Sequence, residues 1–441
     1  MPMNVLSRLR VTVSTLAVPW LRIPTPLTFV GQDASLSLCR AIAGAGVQRV
    51  MVVTDRPLLT LGLADPMLAA LRGAGLQVDV FDEVEPDPGY ELVLAGVERL
   101  RSFGAQAVLA IGGGSPIDCA KAINLSHAND CHPSRLTGVW LYALPRRRGL
   151  PFYAVPTTAG TGSEVTMAAV VSDRQAQVKR SIIDPKLLPG TVALDPKLTV
   201  GLPPAITAAT GMDALTHAVE AYLSTMANAE TDAWALAATG LIVRHLPAAY
   251  RQGNDLAARE HMLLGSYLAG LAFTRAGVGY VHAVAHQLGA LYHVPHGLAN
   301  AIVLPQVLDY SRPRCTGRLA DLARAAGLGA PVAKDEGDGA LANAFIARVR
   351  QLNAEMGIPD RVPALRAADF DRIVRNAFAE AHGTYGVPRY LDYGSARALL
   401  QSLVPGLSNA TNAAPAASAK PGASSQGLTR FTPRSRPGTA R

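Results

Sequence analysis

Cysteine is scarce. The 441 residues hold four, Cys39, Cys119, Cys131 and Cys315, with no CxxC pair among them. That spacing offers no disulfide framework, argues against a cysteine-ligated metal, and fits a reducing cytoplasm. Long apolar runs are missing too. No uninterrupted stretch reaches the roughly 18 residues that a membrane helix needs, so no membrane span is expected. Charged residues make up 17% against 49% hydrophobic, the balance of a soluble globular protein. Acids are absent from both ends. Residues 1–32 carry Arg8, Arg10 and Arg22, and residues 406–441 carry Lys420, Arg430, Arg434, Arg436 and Arg441; together these account for the whole formal charge of +8. The body between them is neutral, so a nucleic-acid role would have to reside in the tails and is not expected of the folded part.

The length exceeds one ordinary core, and two domains are expected. Residues 1–26 read as a basic N-terminal arm without the apolar core and cleavage site of a secretory signal. From Leu27 to about residue 200, short β-branched runs alternate with amphipathic stretches. Arg49–Asp55, Gln77–Phe81 and Ala107–Ile111 read as strands, and Tyr90–Phe103 as a helix. That alternation predicts βαβ units and a parallel sheet. Val170–Ser172, Arg180–Ile183 and Thr191–Leu194 read as later strands. From 201 to 405 the texture is Ala- and Leu-rich with helical periodicity, which predicts an all-α second domain. Residues 406–441 are Ala-, Ser-, Pro- and Gly-rich, and a disordered tail is expected.

Two stretches of the first half suit phosphate chemistry. Gly112-Gly113-Gly114-Ser115 runs from a strand into a helix, where glycines allow close backbone approach and a helix start favours anions. It is neither GxGxxG nor a P-loop, and a plain tight turn is the alternative. Thr157 and Thr158 follow the strand Phe152–Pro156, and Lys179 precedes another strand.

The second half is organised around Gly277–Pro305. It places His282, His286, His293 and His296, four of the ten histidines, within fifteen residues. His282 and His286 share one helix face, and His296 follows Pro295, where that helix should have ended. Asp213 and His217 repeat the four-residue spacing on another Ala-rich helix. Facing each other, these helices would supply Asp213, His217, His282 and His296, a set that suits Zn or Fe and not Ca or Mg. Separately satisfied core histidines are the plain alternative.

The motifs GGGSPIDCAK, PTTAGTGSEVT, ATGMDALTHAVEAY and VHAVAHQLGALYHVPHG stand in this order. Together they resemble the iron-containing (group III) alcohol dehydrogenase family over roughly residues 25–400. The subgroup of metal-dependent primary-alcohol and lactaldehyde–propanediol reductases looks most similar. The resemblance implies a dehydroquinate synthase-like architecture: a Rossmann-like α/β domain, 27–200, that binds NAD, then an all-α metal domain, 201–405. By position it implies Asp213, His217, His282 and His296 as ligands of Fe(II), or alternatively Zn. It makes His286 the proton relay. Gly112, Gly113, Gly114, Ser115, Asp118, Thr157, Thr158 and Lys179 become cofactor contacts. Asp55 falls where a carboxylate disfavours a 2′-phosphate, so NAD is expected over NADP. Phe273 and Val278 fall at the substrate pocket. A homodimer or larger homo-oligomer is implied. Gln287 departs from the proline that lactaldehyde-type enzymes often carry after this histidine. The intact ligand set argues against the metal-independent maleylacetate reductases.

The expected chemistry is hydride transfer between a primary alcohol or diol and NAD, with the ion polarising the substrate oxygen. Three rivals predict different behaviour. A hydroxyacid–oxoacid transhydrogenase of this fold would turn over without added NAD. A metal-dependent hydrolase or lyase would ignore NAD. A partner-binding protein acting through its basic tails would lose function without residues 406–441.

Overall fold

The computed structural model describes residues 23–139, 146–176, 178–329 and 337–405. The readings of residues 1–22 as part of an arm and of 406–441 as a tail lie outside the described residues.

Nine strands are described: β1 Leu27–Val30, β2 Arg49–Val53, β3 Gln77–Phe81, β4 Ala107–Gly112, β5 Gly138–Val139, β6 Phe152–Pro156, β7 Ala168–Asp173, β8 Val178–Ile183 and β9 Thr191–Leu194. Between them run the helices α1 Ala34–Gly44, α2 Arg56–Thr60, α3 Asp65–Gly73, α4 Tyr90–Phe103 and α5 Gly114–Asn129. Six strands form one sheet in the order β1-β9-β6-β4-β2-β3, and every pairing is parallel.

The strand period of two sorts side chains to opposite faces. Met51, Val53, Val108 and Ala110 pack with Val93 and Val97 of α4 and Ile117 of α5. Their neighbours Val50, Val52, Leu109 and Ile111 pack with Leu38 and Ile42 of α1 and Leu71 of α3. A sheet buried on both faces explains why its strands read as continuous apolar runs. The chain leaves β2 for β3 on one side and β4 for β6 on the other. A crevice therefore opens beyond the carboxyl ends of β2 and β4, where parallel sheets take ligands.

Two expected strands do not extend this sheet. β7 and β8 form an antiparallel hairpin, and with β5 they make a separate three-stranded sheet. The link between them is too short for a parallel crossover.

After Leu194 no further strand is described. The helices α6 Pro204–Leu223, α7 Ala229–Arg251, α8 Leu256–Ala276, α9 Tyr280–Tyr292, α10 His296–Ala325, α11 Asp338–Glu355, α12 Phe370–Ala381 and α13 Tyr393–Ser402 follow among the described residues. The expected boundary at residues 200/201 falls between Leu194 and Pro204. Both halves pack as one unit ending at Pro405. Gly162 and Gly270 make close contact between them: a Cβ on Gly270 would stand 3.1 Å from the Gly162 oxygen.

The apolar pattern suggests a helix only over Pro313–Ala326, and α10 is longer. Pro305 lies in its interior, where a proline ordinarily breaks a helix. The helix in fact starts at His296, runs through Pro305 and bends at Cys315, whose φ is −141°. Proline at 305 cannot donate to the carbonyl of Ala301. Asn353 Nδ2 of α11 donates to that carbonyl instead, at 2.7 Å in a buried setting.

Asn353→Leu should therefore leave the Ala301 carbonyl unpaired and cost about 1–3 kcal/mol. A urea midpoint equal to wild type, at unchanged slope, would show that Asn353 does not support the helix through Pro305.

Candidate active site

Asp213 and His217 lie on α6, and His282 and His286 on α9. α9 stops at Tyr292 because His293 turns left-handed, with φ 54°, and Pro295 follows. His296 is then the first residue of α10. Gly297 sets the approach of this helix start. A Cβ there would lie 2.3 Å from the Ala209 oxygen of α6 and 3.2 Å from Cβ of Asp213. Asp213, His217, His282 and His296 converge, each offering one ligand atom within 4.8 Å of the others. Asp213 Oδ1 stands 3.5 Å from His296 Nε2 and 3.9 Å from His282 Nε2. The His217 ring is stacked between Phe273, at 4.1 Å, and His282, at 4.6 Å.

The donor set fits a divalent transition metal. Asp213, His217 and His282 are buried. Burial holds His217 and His282 below the ordinary 6.5, His282 far below, with neighbouring histidines adding to the shift at His282. His296 is 39% exposed, yet desolvation pushes it down to about 4. Three neutral imidazoles beside an aspartate are a ligand set that suits Fe or Zn. Nδ1 of His217 is buried without a hydrogen-bond partner, as expected beside a cation site.

Two side chains that the sequence reading did not single out complete this region. Glu220 accepts from His282 Nδ1 at 2.6 Å, from Gly279 N–H at 2.8 Å and from Val281 N–H at 2.7 Å. Burial raises its carboxyl above the usual range, while these three donors favour the ionised, accepting form. Asn300, fully buried on α10, donates to Asp213 Oδ1 at 2.7 Å. The signal was available: a glutamate and an asparagine each one turn from a ligand, on otherwise apolar helix faces.

His286 stands beside the four and is stacked on His296 at 5.2 Å. Its Nδ1 bonds Glu380 Oε1 at 2.7 Å, and the same oxygen accepts from Tyr385 OH at 2.7 Å. Burial, with the Glu380 charge, raises the Tyr385 phenol well above its usual value, so it acts as a donor. Glu380 and Tyr385 come from α12 and the loop after it, far from His286 in the chain.

At the end of the sheet lies a cleft of about 1120 Å³. Gly113, Gly114, Ser115, Thr157, Thr158 and Asp55 line it. Gly112, at φ 153°, packs on Pro116 with no space for a side chain and turns the chain into α5. The opening N–H groups of α5 thus border the cleft. Asp55 caps α2 by accepting from Leu58 N–H at 2.9 Å, and Glu83 pairs with it through the backbone.

Three expected site residues are placed elsewhere. Asp118 does not line the cleft. It accepts from Ser163 and from Val170 N–H, and it lies 3.8 Å from the buried Lys121, tying α5 to β7. Lys179 is exposed on β8 and pairs with Asp87 at 2.5 Å, although its charge is felt at His296. Val278 lines a cavity of about 20 Å³ behind Glu220, apart from Phe273 and the histidines. Helical and strand periodicity could not separate these orientations.

Comparison with known proteins gives one answer for both halves. Residues 25–196 match the model of the iron-containing alcohol dehydrogenases, and residues 207–404 that of the C-terminal part of the Fe-containing alcohol dehydrogenase family. The 1,3-propanediol dehydrogenase of Citrobacter freundii is 40% identical over 363 residues, 81% of this chain and 90% of that protein. Alcohol dehydrogenase 4 of Saccharomyces cerevisiae is 38% identical over 360 residues, 81% of this chain and 91% of that protein. The crystal structure of a 1,3-propanediol oxidoreductase superposes with a TM-score of 0.81 at 37% identity, covering 87% of this chain and 99% of that one.

The depressed histidines set a pH dependence. Between about pH 4 and 6.5 the unfolded chain binds protons that native His296 refuses, and His217 and His282 act in the same direction. Stability from these groups is present above pH 6.5 and is lost as pH falls towards 4. Chelator-treated protein should lose melting temperature steadily across that window, and His296→Ala should flatten the decline. A melting temperature independent of pH there would contradict this.

Proposed function

The chain belongs to the iron-containing alcohol dehydrogenase family, and from that premise we propose that its four-donor cluster holds Fe(II), or alternatively Zn, for oxidation of short primary alcohols or diols. It is an oxidoreductase that interconverts alcohols and aldehydes with NAD. The observation that supports the metal assignment is the meeting of Asp213, His217, His282 and His296 within 4.8 Å.

When bound, the ion supplies a Lewis acid for the substrate oxygen and the nicotinamide supplies the hydride acceptor. The protein supplies binding and proton handling. The N–H groups of Gly114 and Ser115 at the start of α5 would hold a diphosphate with their partial positive charge. Gly113 stays small, for a Cβ would meet Thr158 Oγ1 at 3.3 Å. Thr157 and Thr158 would hold the nicotinamide part of the cofactor. Asp55, with Glu83 beside it, repels a 2′-phosphate and selects NAD over NADP.

His286 takes the hydroxyl proton at Nε2. With Nδ1–H donated to Glu380, the neutral ring keeps its lone pair on Nε2. Glu380, 27% exposed, gives that proton a route to water. Phe273, stacked on His217, supplies an apolar wall for the substrate. A reducing cytoplasm fits the four free cysteines, and association into at least a dimer is part of this reading. Among the described residues β1 pairs only with β9, and Leu27 on that strand is 64% exposed.

Chelated protein resupplied with Fe(II) or Zn should regain NADH formation with a panel of short alcohols and diols. No recovery with any alcohol, while NAD still binds, would reject the proposal. His282→Ala should lose metal and activity and keep its fold. His286→Ala should keep metal and lose about 10²–10⁴ in kcat. Asp55→Ser retains a capping oxygen without the charge; it should shift the NADP-to-NAD ratio of kcat/KM upwards at least about tenfold. An unchanged ratio would remove Asp55 from cofactor selection.

A further inference from the structure

We propose that Glu220 is a positioning residue of the metal centre, holding His282 in its ligating orientation, and that Gly279 is the notch that admits its carboxylate. The proposal rests on the reading of His282 as a ligand. Glu220 lies on α6, three residues after His217, and is buried at 7% exposure. Its Oε2 accepts from His282 Nδ1 at 2.6 Å and from Gly279 N–H at 2.8 Å, and its Oε1 accepts from Val281 N–H at 2.7 Å. One carboxylate thus serves two orphan donors at the start of α9 and the ring that α9 presents one residue later.

The orientation follows from the proton. With Nδ1–H held by Glu220, the lone pair of the neutral ring lies on Nε2. Nε2 is the atom that faces Asp213 Oδ1 at 3.9 Å. Rotating the ring away would break a buried hydrogen bond to a carboxylate, so the imidazole is locked before any ion arrives.

Gly279 gives an independent line of evidence. Its φ of −135° is open to any residue, so backbone conformation does not call for glycine. Space does. A Cβ at 279 would stand 2.7 Å from Glu220 Oε1 and 3.1 Å from its Cδ. Gly279→Ala would push the carboxylate off His282 without altering any polar group. Glu220→Gln keeps the shape but turns one end into a donor. That end would then face either the Val281 N–H or the His282 and Gly279 N–H groups, donor against donor. Both variants should therefore give the same result by different routes.

The test uses the full chain loaded with Zn(II), and compares wild type, E220Q, G279A and H282A. Zinc affinity is measured by competition with a chromophoric chelator. Dinucleotide binding is measured on the same samples by NADH fluorescence, and the visible spectrum is recorded after Co(II) loading. E220Q and G279A should bind zinc about 10–100-fold more weakly, with a changed Co(II) spectrum and unchanged NADH binding. If both retain wild-type zinc affinity while H282A loses zinc, the proposal is overturned and the ligand set stands. If H282A retains zinc, the ligand set itself fails. Should E220Q not fold, G279A alone decides, since it removes no buried hydrogen-bonding group.

Discussion

Gly297 lies so close to α6 that a Cβ would come within 2.3 Å of the Ala209 oxygen, and this contact sets how near His296 stands to Asp213. The rest of the catalytic half depends on such approaches. Gly160 meets Thr210 on the same helix, with a Cβ position 2.6 Å from Cβ of Thr210. Gly279 leaves room for Glu220. Side chains of moderate length can share one ion only if the backbones that carry them come unusually near, and glycine is the residue that permits it. The burial that follows keeps the histidines neutral and the site competent for a metal.

The same closeness joins the two halves. The loop after β6 carries Thr157 and Thr158 into the cleft, and a few residues on its Gly160 packs directly against α6, the helix of Asp213 and His217. Lys121 anchors the far end of that loop from α5. Its ammonium is buried and donates to the Thr166 carbonyl at 2.9 Å and to the Ala168 carbonyl at 2.7 Å, and burial brings it down to about 8. The helix whose start borders the cleft and the helix that carries Asp213 are thus braced against one segment. Hydride transfer needs a substrate oxygen at the metal and a nicotinamide in the cleft at fixed separation, and a shared brace provides that.

Much of this was legible in the sequence. The strands Gln77–Phe81, Phe152–Pro156 and Thr191–Leu194 and the helix Tyr90–Phe103 stand where the apolar periods placed them. Those periods depend on neighbours within one or two turns, so a local reading captures them. The four-residue spacings of Asp213 with His217 and of His282 with His286 rest on the same geometry. Four ordered motifs carried the family.

What tertiary structure decided are the partners brought from afar. Glu220 meets His282 across 62 residues, and Glu380 meets His286 across 94. Asn353 supports α10 across 52 residues, past a proline that by itself predicts a break. Asp118 turned to Ser163 and β7, Lys179 paired with Asp87, and Val278 faced a different cavity, because a residue's place in a motif does not state which way its side chain points. Periodicity assigns a residue to an element and a face. The chemistry of that face depends on what packs against it, and that is set only when the whole chain has closed.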